Sequence, residues 1–506
     1  MRRGTFTFEL NWGTIGTIAI LAVVGFILWS IAPLGVIHGL ARLFWLHPIG
    51  WALIIIAGVL FIGALSADSN RNFGDPGLLA TIVGILAVLG LIFYAFLSGA
   101  ITNTYIIRNL EPAQLDALPE TTEIRYLPMP VAERYGANKI QDPTHSLGDM
   151  DPLDTGTGTS WVAPRVPTGI WNSLTGQTDG FMIVNSDGSV DTIHQTMRYG
   201  EGMIITDNIT WPLWKIHYTV DLPEFYYLRI DEEVLTIAPY IAYRFEFPVN
   251  VPYWGGVFVV HPDGQIEDLT PQAAVEDPRF EGQRLFPEEL ARRIGEAWAF
   301  RSGITNAWFT HVDQTEVPNI SYEANQMPYL LPTAEGPKWF IGMEPYGPAY
   351  SIFKVLFVDA HDGSLQLYEL PAESGMISPN QAGNYVKAAF PTYKWGDESG
   401  NLVAIEPRPL IKAGVLYWQM SITTNSHAGV TGTALVNAKN NDVIYFKDES
   451  ELQRFMAGTF FGHQTEGTVT QDDGTTPTNP TGDLGEMSEM ELWDLLRQVI
   501  AELESR

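Results

Sequence analysis

The sequence predicts an α+β protein: a three-helix transmembrane anchor, a soluble part of repeated antiparallel β/α modules, and a tethered C-terminal helix. Three observations predict it. Three charge-free apolar runs fall within the first 107 residues, a strand–turn–strand pattern recurs four times between residues 181 and 443, and an apolar stripe at helical spacing closes the chain.

The apolar runs are Trp12 to Gly35, Ile49 to Ala67 and Gly77 to Ile107. A helix rises about 1.5 Å per residue, so roughly 20 apolar residues cross a bilayer core of about 30 Å. Backbone polar groups in lipid must be satisfied within the segment, which makes each run a helix. Arg2 and Arg3 resemble the charged start of a signal peptide. The apolar run behind them is too long for one, and no small-residue cleavage site follows. The connector Val36 to Pro48 carries Leu40, Leu43, Phe44 and Trp45 beside Arg42, and is expected at the membrane surface. Arg2, Arg3 and Arg71 flank one side of the spans, Arg42 and Arg108 the other. Three against two favours a cytoplasmic N-terminus, with the large C-terminal part outside a plasma (inner) membrane. No charged residue lies inside a run, so the block reads as an anchor and a surface for partner helices rather than an ion path.

Charge separates the two parts. Residues 1–110 carry five Arg and three acids, which leaves 24 basic and 55 acidic residues beyond them, a net of −31. Such a surface repels phosphate backbones, so no nucleic-acid partner is expected. The chain has no Cys, which excludes disulfides, thiolate nucleophiles and Cys-ligated zinc or iron–sulfur centres.

The expected order is a membrane domain at 1–108, a linker at 109–125, a β-rich α+β repeat domain at 126–462, a flexible linker at 463–486 and an amphipathic helix at 487–506. The repeat domain is read from four hairpins: Phe181–Val184 to Val190, Val257–Val260 to Ile266, Val355–Val358 to Leu365, and Ala434–Val436 to Val443. Asp-Gly or Asn-Asn fills each turn, and these residues tolerate the positive φ that tight turns need. A further short strand precedes each hairpin: Trp161–Pro164, Leu235–Pro239, Trp339–Met343 and Leu416–Ile422. The period of the strand-end valines, Val184, Val260, Val358 and Val436, suggests a duplicated domain. Helices are predicted at Pro287 to Ser302, with Leu290, Ile294, Ala297 and Trp298 on one face, and in a short turn after the Thr270 cap.

The third hairpin, Val358-Asp359-Ala360-His361-Asp362-Gly363-Ser364-Leu365, resembles the strand–turn–strand of PepSY-type modules of bacterial extracytoplasmic proteins. Val436-Asn437-Ala438 matches it less closely, and the first two hairpins have shorter turns. The resemblance implies a helix on an antiparallel sheet, and a binding, inhibitory or regulatory role rather than catalysis.

After Phe461 the chain turns to Thr, Gly, Pro and Asp, as a flexible linker does. Ser488 and Glu491 then form a capping box. Met490, Trp493, Leu496, Val499, Ile500 and Leu503 make one apolar stripe. A lone helix of this length is marginal in water, so the stripe is expected to dock on a partner protein or another copy.

No H-E-x-x-H, G-x-S-x-G, Walker or G-x-G-x-x-G element is present. Asp142, His145, Asp149, Asp151 and Asp154 are the densest set of hard ligands, but Pro143 and Pro152 interrupt them and the spacing is not that of an EF-hand. They read as a solvated acidic loop, with no metal and no cofactor. His361 reads as an exposed turn residue, His217 and His311 as satisfied core histidines, and the tryptophans as core. The expected function is a non-catalytic, membrane-anchored extracytoplasmic scaffold or binding subunit. The alternative is a cell-envelope hydrolase with carboxylates in an aromatic cleft.

Overall fold

The computed structural model describes residues 16, 19–24, 34–65, 76–154, 159–230, 233–320, 326–347, 351–371, 374–396, 398 and 400–464. It is a mixed α+β fold of several sheets. Residues 16 and 19–24 are helical, and three helices with described bounds follow: α1 (Leu34–Leu46), α2 (Pro48–Leu65) and α3 (Pro76–Ile107). Among the described residues one stretch, Thr81–Ile107 of α3, is long and apolar enough to cross a membrane. Of the three expected spans, the described residues show this one. The described apolar part of α2, Pro48–Leu60, is shorter, and even the whole 18-residue helix spans only about 27 Å. The expected first run, Trp12 to Gly35, falls mostly outside the described residues.

The length of α3 sets the architecture. Its 32 residues extend about 48 Å, well beyond a hydrocarbon core of about 30 Å. Ile82, Ile85, Leu86, Leu89, Ile92, Phe93 and Phe96 stand exposed, whereas Ser98, Ala100 and Ile107 are buried. The last turns therefore lie inside the protein. Ile107 shares a core with Ile241, Leu290, Ile294, Trp298 and Trp339. Next to it, α2 packs on α3 so closely that a Cβ at Gly50 would come 3.0 Å from the Tyr94 ring.

Residues 109–125, expected as a linker, are woven into the body instead. Ala113–Gln114 adds a parallel strand beside Leu365–Glu369, Leu118 is buried, and Thr121 donates its backbone N–H to the Ile411 carbonyl at 2.9 Å while its hydroxyl accepts from the Ile411 N–H at 2.8 Å. The alternation of polar and apolar residues there is too short to read as strand, and the pairing partners lie far along the chain.

Each sequence-predicted hairpin forms, and each lies in its own four-stranded antiparallel meander. The strands are Asp151–Asp154, Thr159–Pro167, Thr178–Val184 and Val190–Met197 in the first. They are Tyr226–Ile230, Glu233–Glu246, Val249–Val260 and Ile266–Leu269 in the second. The third has Tyr329–Thr333, Gly336–Pro345, Lys354–Asp359 and Leu365–Glu369. The fourth has Leu402–Lys412, Val415–Thr424, Val430–Asn437 and Val443–Phe446. The turns use Gly188, Gly264, Gly363 and Asn441, at φ of +80, +92, +77 and +67°, as their residue types require.

One register runs through all four sheets. Val184 lies opposite Trp161 and Val190. Val260 lies opposite Thr236 and Ile266, Val358 opposite Trp339 and Leu365, and Val436 opposite Trp418 and Val443. The three tryptophans are buried, and each indole needs an acceptor. Trp161 donates to the Leu127 carbonyl at 2.9 Å, Trp339 to Phe286 at 3.2 Å and Trp418 to Ile377 at 2.8 Å. In each case a helix begins two residues after that carbonyl: Met129–Lys139, Glu288–Ala297 and Pro379–Ala389. The indole thus fixes the helix entry to the second strand of its sheet. The second sheet has Thr236 in place of the indole.

The sheets pack in pairs. Phe181, Val162, Ile237 and Val259 join the first to the second. Phe340, Phe357, Trp418 and Val436 join the third to the fourth.

Candidate functional site

The long hairpin of the second sheet, Glu233–Val260, carries the body onto α1 and α3. Val249 and Val251 are buried against Leu53, Tyr94 and Ile101. The Asn250 side chain donates to the Trp45 carbonyl, the Tyr105 hydroxyl donates to the Phe247 carbonyl at 2.9 Å, and Arg108 pairs with Glu246 at 2.7 Å. On the other side of the tie, Arg301 donates to the carbonyls of Ile107, the last residue of α3, and Leu110 just beyond it.

Above this junction is a cavity of about 470 Å³, lined by His38 and Arg42 of α1, Trp214, Asp221 and Glu224, and Glu288, Glu289 and Arg293 of the helix Glu288–Ala297. Asp221 is its centre. It is buried, accepts from Arg42 at 2.5 Å and from the Tyr243 hydroxyl, and lies 3.7 Å from Arg293. Its backbone exchanges two bonds with Ile241. Arg293 in turn donates to Tyr243 at 3.0 Å. The His38 ring stacks on Trp214 at 3.7 Å. Glu224 accepts from the Glu288 backbone N–H at 2.9 Å, and so stabilises the N-terminus of that helix. Burial raises both carboxyls of the Glu224–Glu288 pair above the ordinary range, against the pull of nearby arginines.

The acids of this lining are engaged within the fold. Each carboxylate has a structural commitment: Asp221 to Arg42 and Tyr243, Glu224 to the Glu288 N–H, Glu288 to Arg292 at 2.8 Å, and Glu289 to Arg293 at 3.0 Å. Among the described residues no Ser, Thr or Cys side chain lines the cavity. What it offers is a set of fixed charges of both signs beside α1 and the helix Glu288–Ala297.

The residues singled out from the sequence are scattered. Met490, Trp493, Leu496, Val499, Ile500 and Leu503 lie outside the described residues. In the acidic loop Asp142 accepts from Thr144 and pairs with His145 at 2.8 Å. Those bonds from Thr144 and then His145 hold its carboxyl down at about 2. Asp151 lies apart on a strand, paired with Arg284 at 2.8 Å. Among the described residues no group of three or more His, Asp or Glu is placed to hold a metal. His361 is not a free turn residue: its ring bridges the Gln283 and Val275 carbonyls at 2.9 and 3.3 Å. His217, expected in a core, is substantially exposed and bonds Asp268 at 2.8 Å. His311 stacks on Tyr346 at 4.2 Å.

Sequence reasoning missed Arg42, Asp221 and Arg293. It also passed over a signal that was available: Arg125-Tyr-Leu-Pro128 and Arg284-Leu-Phe-Pro287 share a pattern, and each ends where a helix starts. No protein-family model, curated protein or solved structure matches the chain.

Proposed function

We propose that the chain is a membrane-anchored binding or scaffold subunit whose four-sheet body stands outside a plasma membrane and engages a protein partner. The observation that carries this reading is the fate of α3. An apolar helix with a lipid-length exposed face ends with Ile107 in the same core as Trp298 and Trp339. A helix tethered by a flexible loop would anchor the body loosely. One whose last turns are core transmits position and orientation from the bilayer.

The reading includes three membrane spans with the N-terminus in the cytoplasm, as the charge-free runs and the flanking arginines suggest. It also includes four copies of one helix-plus-meander module. The shared register and the three indole-to-carbonyl bonds support that duplication, and a helix on an antiparallel meander is the shape that the PepSY resemblance implies. The C-terminal stripe Met490, Trp493, Leu496, Val499, Ile500 and Leu503 is the partner-binding element, because its apolar face needs cover. The hydrolase alternative is weaker, because the acids of the Asp221 cavity are all engaged in holding elements together.

The test is deletion of residues 487–506 in the native membrane, followed by native-gel sizing of the solubilised complex. The shortened chain is expected to run as a smaller assembly that has lost a partner. An assembly of unchanged composition would refute the partner role. External protease on intact cells should digest the body, and protection of the body would reverse the topology.

A further inference from the structure

The first strands of the four meanders converge on one cavity. The residue opposite the one that follows Trp161, Thr236, Trp339 or Trp418 is Asp151, Tyr226, Tyr329 and Arg408 respectively. Tyr226, Tyr329 and Arg408 line a space of about 100 Å³, together with Arg125 and Arg284. Asp151 reaches the same place through its pair with Arg284. Arg125 and Arg284 occupy matching positions, each two residues before the carbonyl that accepts an indole. Three guanidinium groups therefore meet where four sheets meet, in a chain of net charge −29.

Their hydrogen bonding is unequal. Arg284 is satisfied by Asp151 at 2.8 Å. Arg408 is not. It is only 4% exposed, and its Nε, Nη1 and Nη2 all lack a hydrogen-bond partner among the described residues, as does Nε of Arg125. The nearest carboxylate oxygen to Arg408, Oε2 of Glu406, stands 3.8 Å from Nε, beyond hydrogen-bond range. The other oxygen of Glu406 is held by the Met129 N–H at 2.8 Å. Glu406 takes a positive φ of 51° in an irregular step of the strand between Ile405 and Arg408. That conformation is costly for a residue with a side chain, and it turns the strand at the point where Arg408 enters the cavity. Burial, and next the Arg125 charge, pulls the Arg408 guanidinium down to about 9. A buried guanidinium whose N–H groups have no acceptor carries a desolvation cost, even with a carboxylate 3.8 Å away. An acceptor-only group in the cavity would remove that cost. A water fills roughly 10–15 Å³ by the same measure of volume, so about 100 Å³ admits one small tetrahedral or planar oxyanion.

We propose that the junction of the four sheets is a binding site for a small oxyanion, phosphate, sulfate or carboxylate, gripped by the guanidinium forks of Arg408 and Arg125. Arg matches such groups with paired N–H donors. The anion bridges Arg125, at the entry to the helix Met129–Lys139, and Arg408, on the fourth sheet, so its occupancy ties the two sheet pairs together. The site lies apart from the Asp221 cavity and does not depend on the scaffold reading.

The test uses the full-length chain in neutral detergent. Thermal unfolding is followed at constant ionic strength while chloride is replaced by phosphate, sulfate or acetate. Anions released by denaturing the purified protein are measured by ion chromatography. The wild type is expected either to gain a saturable rise in midpoint with one of the three, or to release about one equivalent of anion. In Arg408→Gln the rise or the retained anion should be lost. In Arg408→Lys, which keeps the charge but not the fork, affinity should fall at least tenfold. Arg279→Gln, at a surface pair with Glu267, should respond as wild type does. Glycerol phosphate in place of inorganic phosphate separates a group on a larger molecule from the free ion. A wild type that neither responds nor carries an anion, or Arg408 variants that respond as wild type does, would overturn the site.

Discussion

Trp418→Phe tests the device that joins each helix to its sheet. Trp418 is fully buried and its indole donates to the Ile377 carbonyl at 2.8 Å, two residues before the helix Pro379–Ala389. Phenylalanine keeps a ring but removes the donor. Leaving the carbonyl unpaired costs about 1–3 kcal/mol. The lost ring volume, roughly 40 Å³ at ~24 cal/mol per Å³, adds about 1 kcal/mol. The expected loss is about 2–4 kcal/mol, read as a lower urea midpoint by far-ultraviolet circular dichroism on the detergent-solubilised chain. Trp161→Phe should cost a similar amount. Trp339→Phe belongs at the lower end, because its bond is longer at 3.2 Å. Trp171, 79% exposed, is the control, and its change to Phe should stay within about 0.5 kcal/mol. If Trp418→Phe were no more damaging than Trp171→Phe, the indole bond would not be holding the helix entry.

Two other perturbations bear on different parts of the molecule. Burial raises Glu201 to about 7, although the Tyr227 hydroxyl donates to it at 2.5 Å. The fold favours its neutral form, so its contribution to stability is intact below the unfolded value of 4.5 and is lost as pH rises through about 7. Glu201→Gln should flatten that part of the decline in unfolding midpoint between pH 4.5 and 8, and an unchanged slope would count against the burial. Trp308 sits 5.0 Å from Phe96, a residue 71% exposed on the stretch of α3 long and apolar enough to cross a membrane, so the 306–313 turn is expected at the bilayer surface. In liposomes with brominated lipid, Trp308→Phe should lower the quenchable share of tryptophan fluorescence; an identical share would place the turn in water.

Local chemistry was legible in the chain. The four hairpins form where Asp-Gly and Asn-Asn stand, because a turn depends on the φ tolerance of one or two residues. The helix expected at Pro287 to Ser302 appears as Glu288–Ala297 followed by a 3-10 turn, with Gly303 at φ +90° ending it. Thr270 caps Pro271–Val275 through its side chain. The preceding strands Trp161–Pro164, Leu235–Pro239, Trp339–Met343 and Leu416–Ile422 each pair with the hairpin behind them. Errors arose where the outcome depends on distant partners. His361 looked free because Val275 and Gln283 are remote in sequence, and 109–125 looked like a linker because its neighbours Leu365–Glu369 and Ile411 come hundreds of residues later.

By itself, then, the sequence determined an apolar leading segment, a strongly acidic body of antiparallel hairpins, and the turn chemistry that spaces them. These follow from hydropathy, charge and φ preference, which each residue carries wherever it sits. Only the tertiary structure decided that α3 ends inside the core, that Asp221 gathers Arg42, Tyr243 and Arg293, and that Arg125, Arg284 and Arg408 share one cavity. Those outcomes depend on register and sheet packing, and a guanidinium acquires its meaning only from the acceptors that folding brings within reach or withholds.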